Sequence, residues 1–237
     1  MRPARLFRIT AGLVVAVPLL GWLAYAGVVW LGYGRLQVDR RPDKMLDRYM
    51  PQYEVGERHE IIVNAPASDT WAAACAIDLQ RSPVIGAIFS ARERLLGAAH
   101  PEASPAPFLH QAIAMGWGIL EERAGRELVM GSITQPWEAN VVFHALAPDR
   151  FASFAEPGYV KIVWTVEAEP TGASTSIART VTRVQTTDAA SREKFRRYWA
   201  IFSPGILLIR YEALRLIRDD AERRFQRPPK LALPSSR

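Results

Sequence analysis

Polar and apolar residues alternate over two long stretches near the C-terminus, residues 159–169 (YVKIVWTVEAE) and 174–187 (STSIARTVTRVQTT), with Pro170-Thr171-Gly172-Ala173 between them. Alternation at a period of two predicts strands with two unlike faces. Both runs are longer than the roughly 5–6 residues of an ordinary strand. In the first, Ile162, Trp164, Val166 and Ala168 share one face, and Lys161, Val163, Thr165, Glu167 and Glu169 the other. In the second, Ile177, Arg179, Val181 and Arg183 lie opposite Thr180, Thr182 and Val184. Past Asp188, the expected N-cap, the period changes. Phe195, Tyr198, Trp199 and Phe202 fall at i, i+3, i+4 and i+7, the stripe of an amphipathic helix. Ser203-Pro204-Gly205 predicts a kink or restart, and residues 206–225 a second amphipathic helix whose charges, Arg210, Arg215 and Arg218 among them, lie mostly off its apolar face. The four aromatics must face the sheet, since exposing them would leave a large apolar patch. A helix lying across a strongly curved sheet cannot fill all the space beneath it. The pattern therefore predicts a cavity between the long hairpin and helix 188–202, with Trp164 as the sheet-side wall.

The upstream chain reads as shorter elements. Residues 58–64 (RHEIIVN) predict a strand, and alanine-rich 69–78 a helix after the break at 65–68. Ser82-Pro83 is an N-cap followed by N1 and opens a helix to Leu96, with Val84, Ile88, Leu95 and Leu96 on one side and Phe89 beside them. Residues 97–107 read as loop and 108–115 as one or two helical turns. Residues 117–122 and 127–133 predict a hairpin around Arg123-Ala124-Gly125-Arg126. Residues 140–147 and 151–155 predict shorter strands around Pro148-Asp149.

The N-terminus is different in kind. Residues 9–34 carry no charge over about 26 positions, where about 20 span the hydrocarbon core of a bilayer. Trp22, Tyr25, Trp30 and Tyr33 crowd its second half, as interfacial aromatics do. Ala24-Tyr25-Ala26 has the form of a signal-peptidase site, so a cleaved signal peptide is the rival. The apolar run continues past that site and is too long for a signal h-region, which favours an uncleaved anchor. Lys and Arg flank both ends about equally, so the positive-inside rule does not choose the side of the folded domain. The net charge of +6 over 237 residues has two readings, a solvated arginine-rich surface or attraction of a membrane-proximal domain to anionic lipid. No recognition-helix or RNP-like pattern accompanies the arginines, which counts against the third reading, nucleic-acid binding.

Motif chemistry is sparse. The single cysteine, Cys75, forms no intramolecular disulfide and no cysteine-based metal site. The four histidines, His59, His100, His110 and His144, show no metal-ligand spacing. No phosphate loop and no G-x-S-x-G occurs. Two readings stand for the strand arginines: Arg179 and Arg183 pair with Glu167 or Glu169 on the wet face, or Arg183 turns inward to hold a ligand carboxylate or phosphate. Trp71, Trp117, Trp137, Trp164 and Trp199 belong to core or to pocket wall, which one sequence does not separate.

Four segments together resemble one family: R-H-E-I-I-V-N-A-P-A-S-D-T-W, G-R-E-L-V-M-G-S-I-T-Q-P-W, P-G-Y-V-K-I-V-W-T-V and T-V-T-R-V-Q-T-T-D-A-A-S-R-E-K-F-R-R-Y-W. In this order they are similar to the SRPBCC (START-like, helix-grip) superfamily, over roughly residues 57 to 225. The resemblance implies an α+β helix-grip fold, a curved antiparallel sheet around a long C-terminal helix, here preceded by one transmembrane helix. It leaves activity open, because the superfamily hosts lipid carriers, polyketide cyclases and hormone receptors. The expected organisation is a basic tail (1–8), the membrane helix (9–34), a charged tether (35–56) whose residues 43–50 can form a short helix, the helix-grip domain (57–225) and a disordered tail (226–237). The expected function is membrane-anchored binding of a lipid or other small hydrophobic ligand. Trp117, Trp137, Trp164, Arg183, Phe195, Tyr198 and Trp199 would line the cavity, with no metal, cofactor or nucleic acid. A cyclase-like enzyme would instead draw on His144, Glu138, Arg183 and Tyr198 for proton transfer or enolate stabilisation. An interaction module would fill a vestigial cavity with its own tryptophans.

Overall fold

The structure, a computed structural model, describes residues 20–33, 43–98 and 106–226. The chain folds as α1 (20–32), α2 (Leu46–Tyr49), β1 (Val55–Val63), α3 (Ala67–Ala76), a 3-10 turn, α4 (Pro83–Leu96), α5 (Phe108–Ala114), β2 (Gly118–Arg123), β3 (Glu127–Thr134), β4 (Phe143–His144), α6 (Pro148–Ser153), β5 (Val160–Pro170), β6 (Ser176–Thr186) and α7 (Ala189–Gln226). All pairings are antiparallel, in the order β1-β6-β5-β3-β2 with β4 off β3. The two long alternating runs are β5 and β6, paired from Val160↔Thr186 to Pro170↔Ser176. Antiparallel sheet, three helices between the first and second strands where two were expected, and a long C-terminal helix make an α+β helix-grip fold. The basic tail, residues 9–19 and 34 of the expected membrane span, 35–42 of the tether and 227–237 of the expected tail lie outside the described residues. No helix among the described residues is long and apolar enough to cross a membrane.

The concave face carries the main core. Leu128, Met130, Val166 and Ala178 meet Ala73 and Ala74 of α3 and Leu214, Ile217 and Ala221 of α7. Nearer the start of α7, Phe195 and Trp199 pack on Val55, Val160 and Val184. Asp188 caps α7: its carboxylate accepts from Ala190 N, Ser191 N and the Ser191 hydroxyl at 2.7–2.9 Å. Those Ser191 bonds, with one from Gly158 N, hold the carboxyl well below its ordinary range. The expected interruption at 203–205 is absent, and α7 is continuous through Pro204. Packing outweighs the lost backbone donor there: Ser203 is fully buried, and a Cβ on Gly205 would come within 3.0 Å of Ile88.

The convex face is also covered, which the alternation does not reveal. Met45, Leu46, Met50 and Tyr53, with Phe151 of α6, pack on Leu120, Val129, Ile133, Val163 and Val181. Residues 43–54, expected as part of a charged tether, are thus layered on the back of the sheet, and Val55 and Gly56 open β1. Residues 151–155, expected as a strand, fall mostly in helix α6, with Pro148 at its first turn and Phe151 buried beneath it. Of the strand expected over 140–147, only Phe143–His144 pairs. Two cations pin this cover. Lys161 Nζ donates to the Ala152 carbonyl at 3.0 Å, and burial pushes its pKa down. Arg183, 1% exposed, donates from Nη1 to Asp47 at 2.6 Å and to the Met50 carbonyl at 2.9 Å, and lies 4.6 Å over the Tyr53 ring. Its convex-facing neighbour Arg179 contacts Glu60, Glu167 and Glu169 at 2.5–2.9 Å. Against the cost of burial, these carboxylates raise its pKa above the ordinary value.

Candidate functional site

Beneath α7 the concave face encloses a cavity of about 890 Å³. Sheet residues Ile162, Trp164, Thr180 and Thr182 form one wall, aromatics of α7 the opposite one, and α4 and α5 close the sides. The sheet's alternation points Trp164 inward, and two neighbours fix its ring: Phe108 at 5.4 Å and Trp117 at 5.9 Å between centroids. Trp117 is held in turn by Gly116. That glycine has φ +101°, and a Cβ there would overlap the Phe143 carbonyl oxygen. Only glycine lets the chain turn against β4 and stack Trp117 on Phe143 at 5.0 Å.

Of the residues expected at the cavity, the structure places Trp117, Trp164, Phe195, Tyr198 and Trp199 on its wall. Trp137 and Arg183 are not among them. Trp137 packs beside Phe195 and Trp199 from outside, under Lys194. Arg183 belongs to the opposite face of the sheet, because its register partner Val163 is convex. The four residues named for proton transfer do not meet. Tyr198 lines the cavity, Arg183 lies behind the sheet, and His144 sits on β4 edge-on to Tyr159 at 6.5 Å. Glu138 lies in the loop after β3, where its carbonyl accepts from Arg92.

Arg210 is the residue sequence reasoning missed. It lies on the inner side of α7, lines the cavity, and donates from Nη1 to the Thr182 hydroxyl at 2.5 Å. Its Nε is buried with no hydrogen-bond partner among the described residues. Burial pushes its pKa down to about 10, against the pull of Glu57, so it stays cationic at neutral pH. Its position was readable: it stands four residues after Ile206 and three before Ala213, within the apolar stripe. Arg92 is the other charged wall residue among those described, and it reaches from α4 to the carbonyls of Pro136 and Glu138 at 3.3 and 3.2 Å. Burial raises the pKa of the Tyr198 phenol, while the Arg92 guanidinium beside it works the other way. No carboxylate or imidazole is found among the described lining residues.

The rim brings the N-terminal helix to the site. Trp22 of α1 lines the cavity, and it is solvent-exposed together with the lining residues Val84, Phe89, Leu95 and Leu208. The C-terminal end of α1 is docked on the domain. Arg196 donates to the Trp30 carbonyl at 2.9 and 2.7 Å and stacks over its ring at 4.2 Å, which satisfies a carbonyl left free at a helix end. The Tyr33 hydroxyl donates to Glu54 at 3.1 Å, and its ring packs on Phe195 at 6.0 Å.

No protein-family model matches the chain, and no curated protein matches it significantly. Solved structures do resemble it. A truncated norcoclaurine synthase from Thalictrum flavum is 11% identical with a TM-score of 0.36, over 73% of this chain and 95% of that one. An aromatase/cyclase from Streptomyces sp. R1128 is 15% identical with a TM-score of 0.25, over 72% and 94%. A hypothetical protein from Helicobacter pylori is 8% identical with a TM-score of 0.35, over 79% and 95%. The neighbours include helix-grip proteins. At these scores the fold assignment rests on the strand order and the C-terminal helix themselves.

Proposed function

We propose that this chain is a membrane-anchored, non-enzymatic binding protein that holds a lipid or another small hydrophobic ligand in its helix-grip cavity. The observation that carries this reading is the cavity of about 890 Å³, with apolar walls and no carboxylate or imidazole among its described lining residues. That volume lies in the upper part of the range of about 300–1,000 Å³ usual for small-ligand sites. A cavity filled by its own tryptophans would leave no such space, and Trp117, Trp164 and Trp199 stand around it. The anchor is residues 9–34. It is supported by the charge-free run and by the exposed apolar rim, which bulk water disfavours and lipid accepts. Tethering keeps such a pocket at a raised effective concentration of lipid.

Native mass spectrometry of the full chain, extracted in a neutral detergent, tests the reading. A co-purifying apolar adduct is expected, with the chain retained in the membrane pellet after an alkaline wash. A cooperatively folded chain that carries nothing and takes up no apolar probe would end the binding reading in favour of an interaction module.

A further inference from the structure

We propose that Arg210 anchors an anionic head group, so that the ligand is a long apolar molecule ending in a carboxylate or a phosphate. This rests on the cavity-binding reading above. A guanidinium offers five donors, and here the neutral Thr182 hydroxyl is the one hydrogen-bond partner found among the described residues. The other arginines in the last turns of α7 are treated differently. Arg215, Arg218, Arg223 and Arg224 each pair with Glu212, Asp219 or Asp220 at 2.6–3.3 Å. Arg210 has no such carboxylate among the described residues. Glu57 is near enough for its charge to be felt, yet its close contact is His59, at 3.4 Å.

A buried cation without a counter-charge costs folding free energy. Here the unmatched donor set opens on an apolar cavity, beside the hydroxyl-bearing Thr180 and Thr182. Arg92, the other cation on the wall, already donates to the carbonyls of Pro136 and Glu138. A fixed cation with unmatched donors among apolar walls is the arrangement that orients an amphipathic anion: chain along the aromatics, head on the guanidinium. Carboxylate and phosphate share this chemistry.

The test compares three ligands of equal chain length on the full chain in neutral detergent: dodecanoate, dodecyl phosphate and dodecanol. Native mass spectrometry reads the bound fraction of each. The wild-type chain should bind at least one anion about tenfold or more tighter than dodecanol, the scale of one charge-assisted hydrogen bond. Whichever anion leads identifies the head group. Arg210→Gln should abolish that preference, weakening the anions far more than dodecanol, and Arg210→Lys should keep part of it. Equal binding of the anions and dodecanol to the wild type would overturn the inference while leaving the cavity reading intact, and needs no folded variant. A preference that survives Arg210→Gln would overturn it too. Binding of none of the three would sink the cavity reading and this inference together.

Discussion

Replacing Arg183 by methionine tests which face of the sheet this side chain serves. The substitution refills most of the volume, so the cavity cost is small. Three contacts end. The ion pair with Asp47 is counted at its surface value, up to about 1 kcal/mol, because the Asp47 side chain is 41% exposed. The buried Met50 carbonyl loses its donor, at about 1–2 kcal/mol. The stacking over Tyr53 adds about 0.5–1 kcal/mol. The total is about 3 kcal/mol, and in a chain of this size that lowers Tm by roughly 6–12 °C. The full chain in neutral detergent is melted by circular dichroism, and limited proteolysis maps cuts in residues 43–54, which should become accessible. Affinity for an apolar probe should stay as in the wild type, since Arg183 lies behind the cavity wall. An unchanged Tm would refute the pinning role. A normal melt with weakened probe binding would put Arg183 inside the cavity and reverse its assignment here.

Three further outcomes are expected. Trp164→Ala removes the wall against which Phe108 and Trp117 rest; probe affinity should fall about tenfold or more, proportionately more than stability, and matched losses would make Trp164 plain core. Deleting residues 1–34 should leave a folded domain, but one less stable than a deletion ending at residue 27, by about 1–3 kcal/mol in unfolding free energy from denaturant melts, because Tyr33 and Trp30 are lost; identical midpoints would show that residues 28–34 contribute nothing to the fold. Burial and the nearby Glu167 carboxylate push Glu127 up from 4.5 to about 7, against Arg123 and Arg126, with Asp43 adding to the rise. The folded chain then holds the proton more tightly, so stability is fullest below about 4.5 and falls as pH rises through about 7. Glu127→Gln should flatten that slope in Tm measured across the window, and an unaltered slope would clear Glu127 of the effect.

Much of the fold was legible along the chain. The period-two runs specified β5 and β6 and sorted their faces, Asp188 and Ser82 marked helix starts, and the Phe195–Trp199 stripe named the buried side of α7. These are local signals, set by backbone geometry and by side chains a few residues apart. What the tertiary structure decided was which face meets what. Both faces of β5 and β6 carry valines, because one lines the cavity and the other lies under residues 43–54 and α6. Alternation separates the two faces but cannot say which is concave, so Arg183 could be assigned to the wrong side. Residues 151–155 alternate weakly enough to pass for a strand, and the pocket that takes Phe151 is assembled from Leu120 and Gly131 far along the chain. Pro204 signals a break locally, yet packing beneath α4 carries the helix through. Arg210 stood in the apolar stripe from the start. That its guanidinium meets Thr182 and an otherwise apolar space, rather than a carboxylate, follows from contacts between residues 28 positions apart.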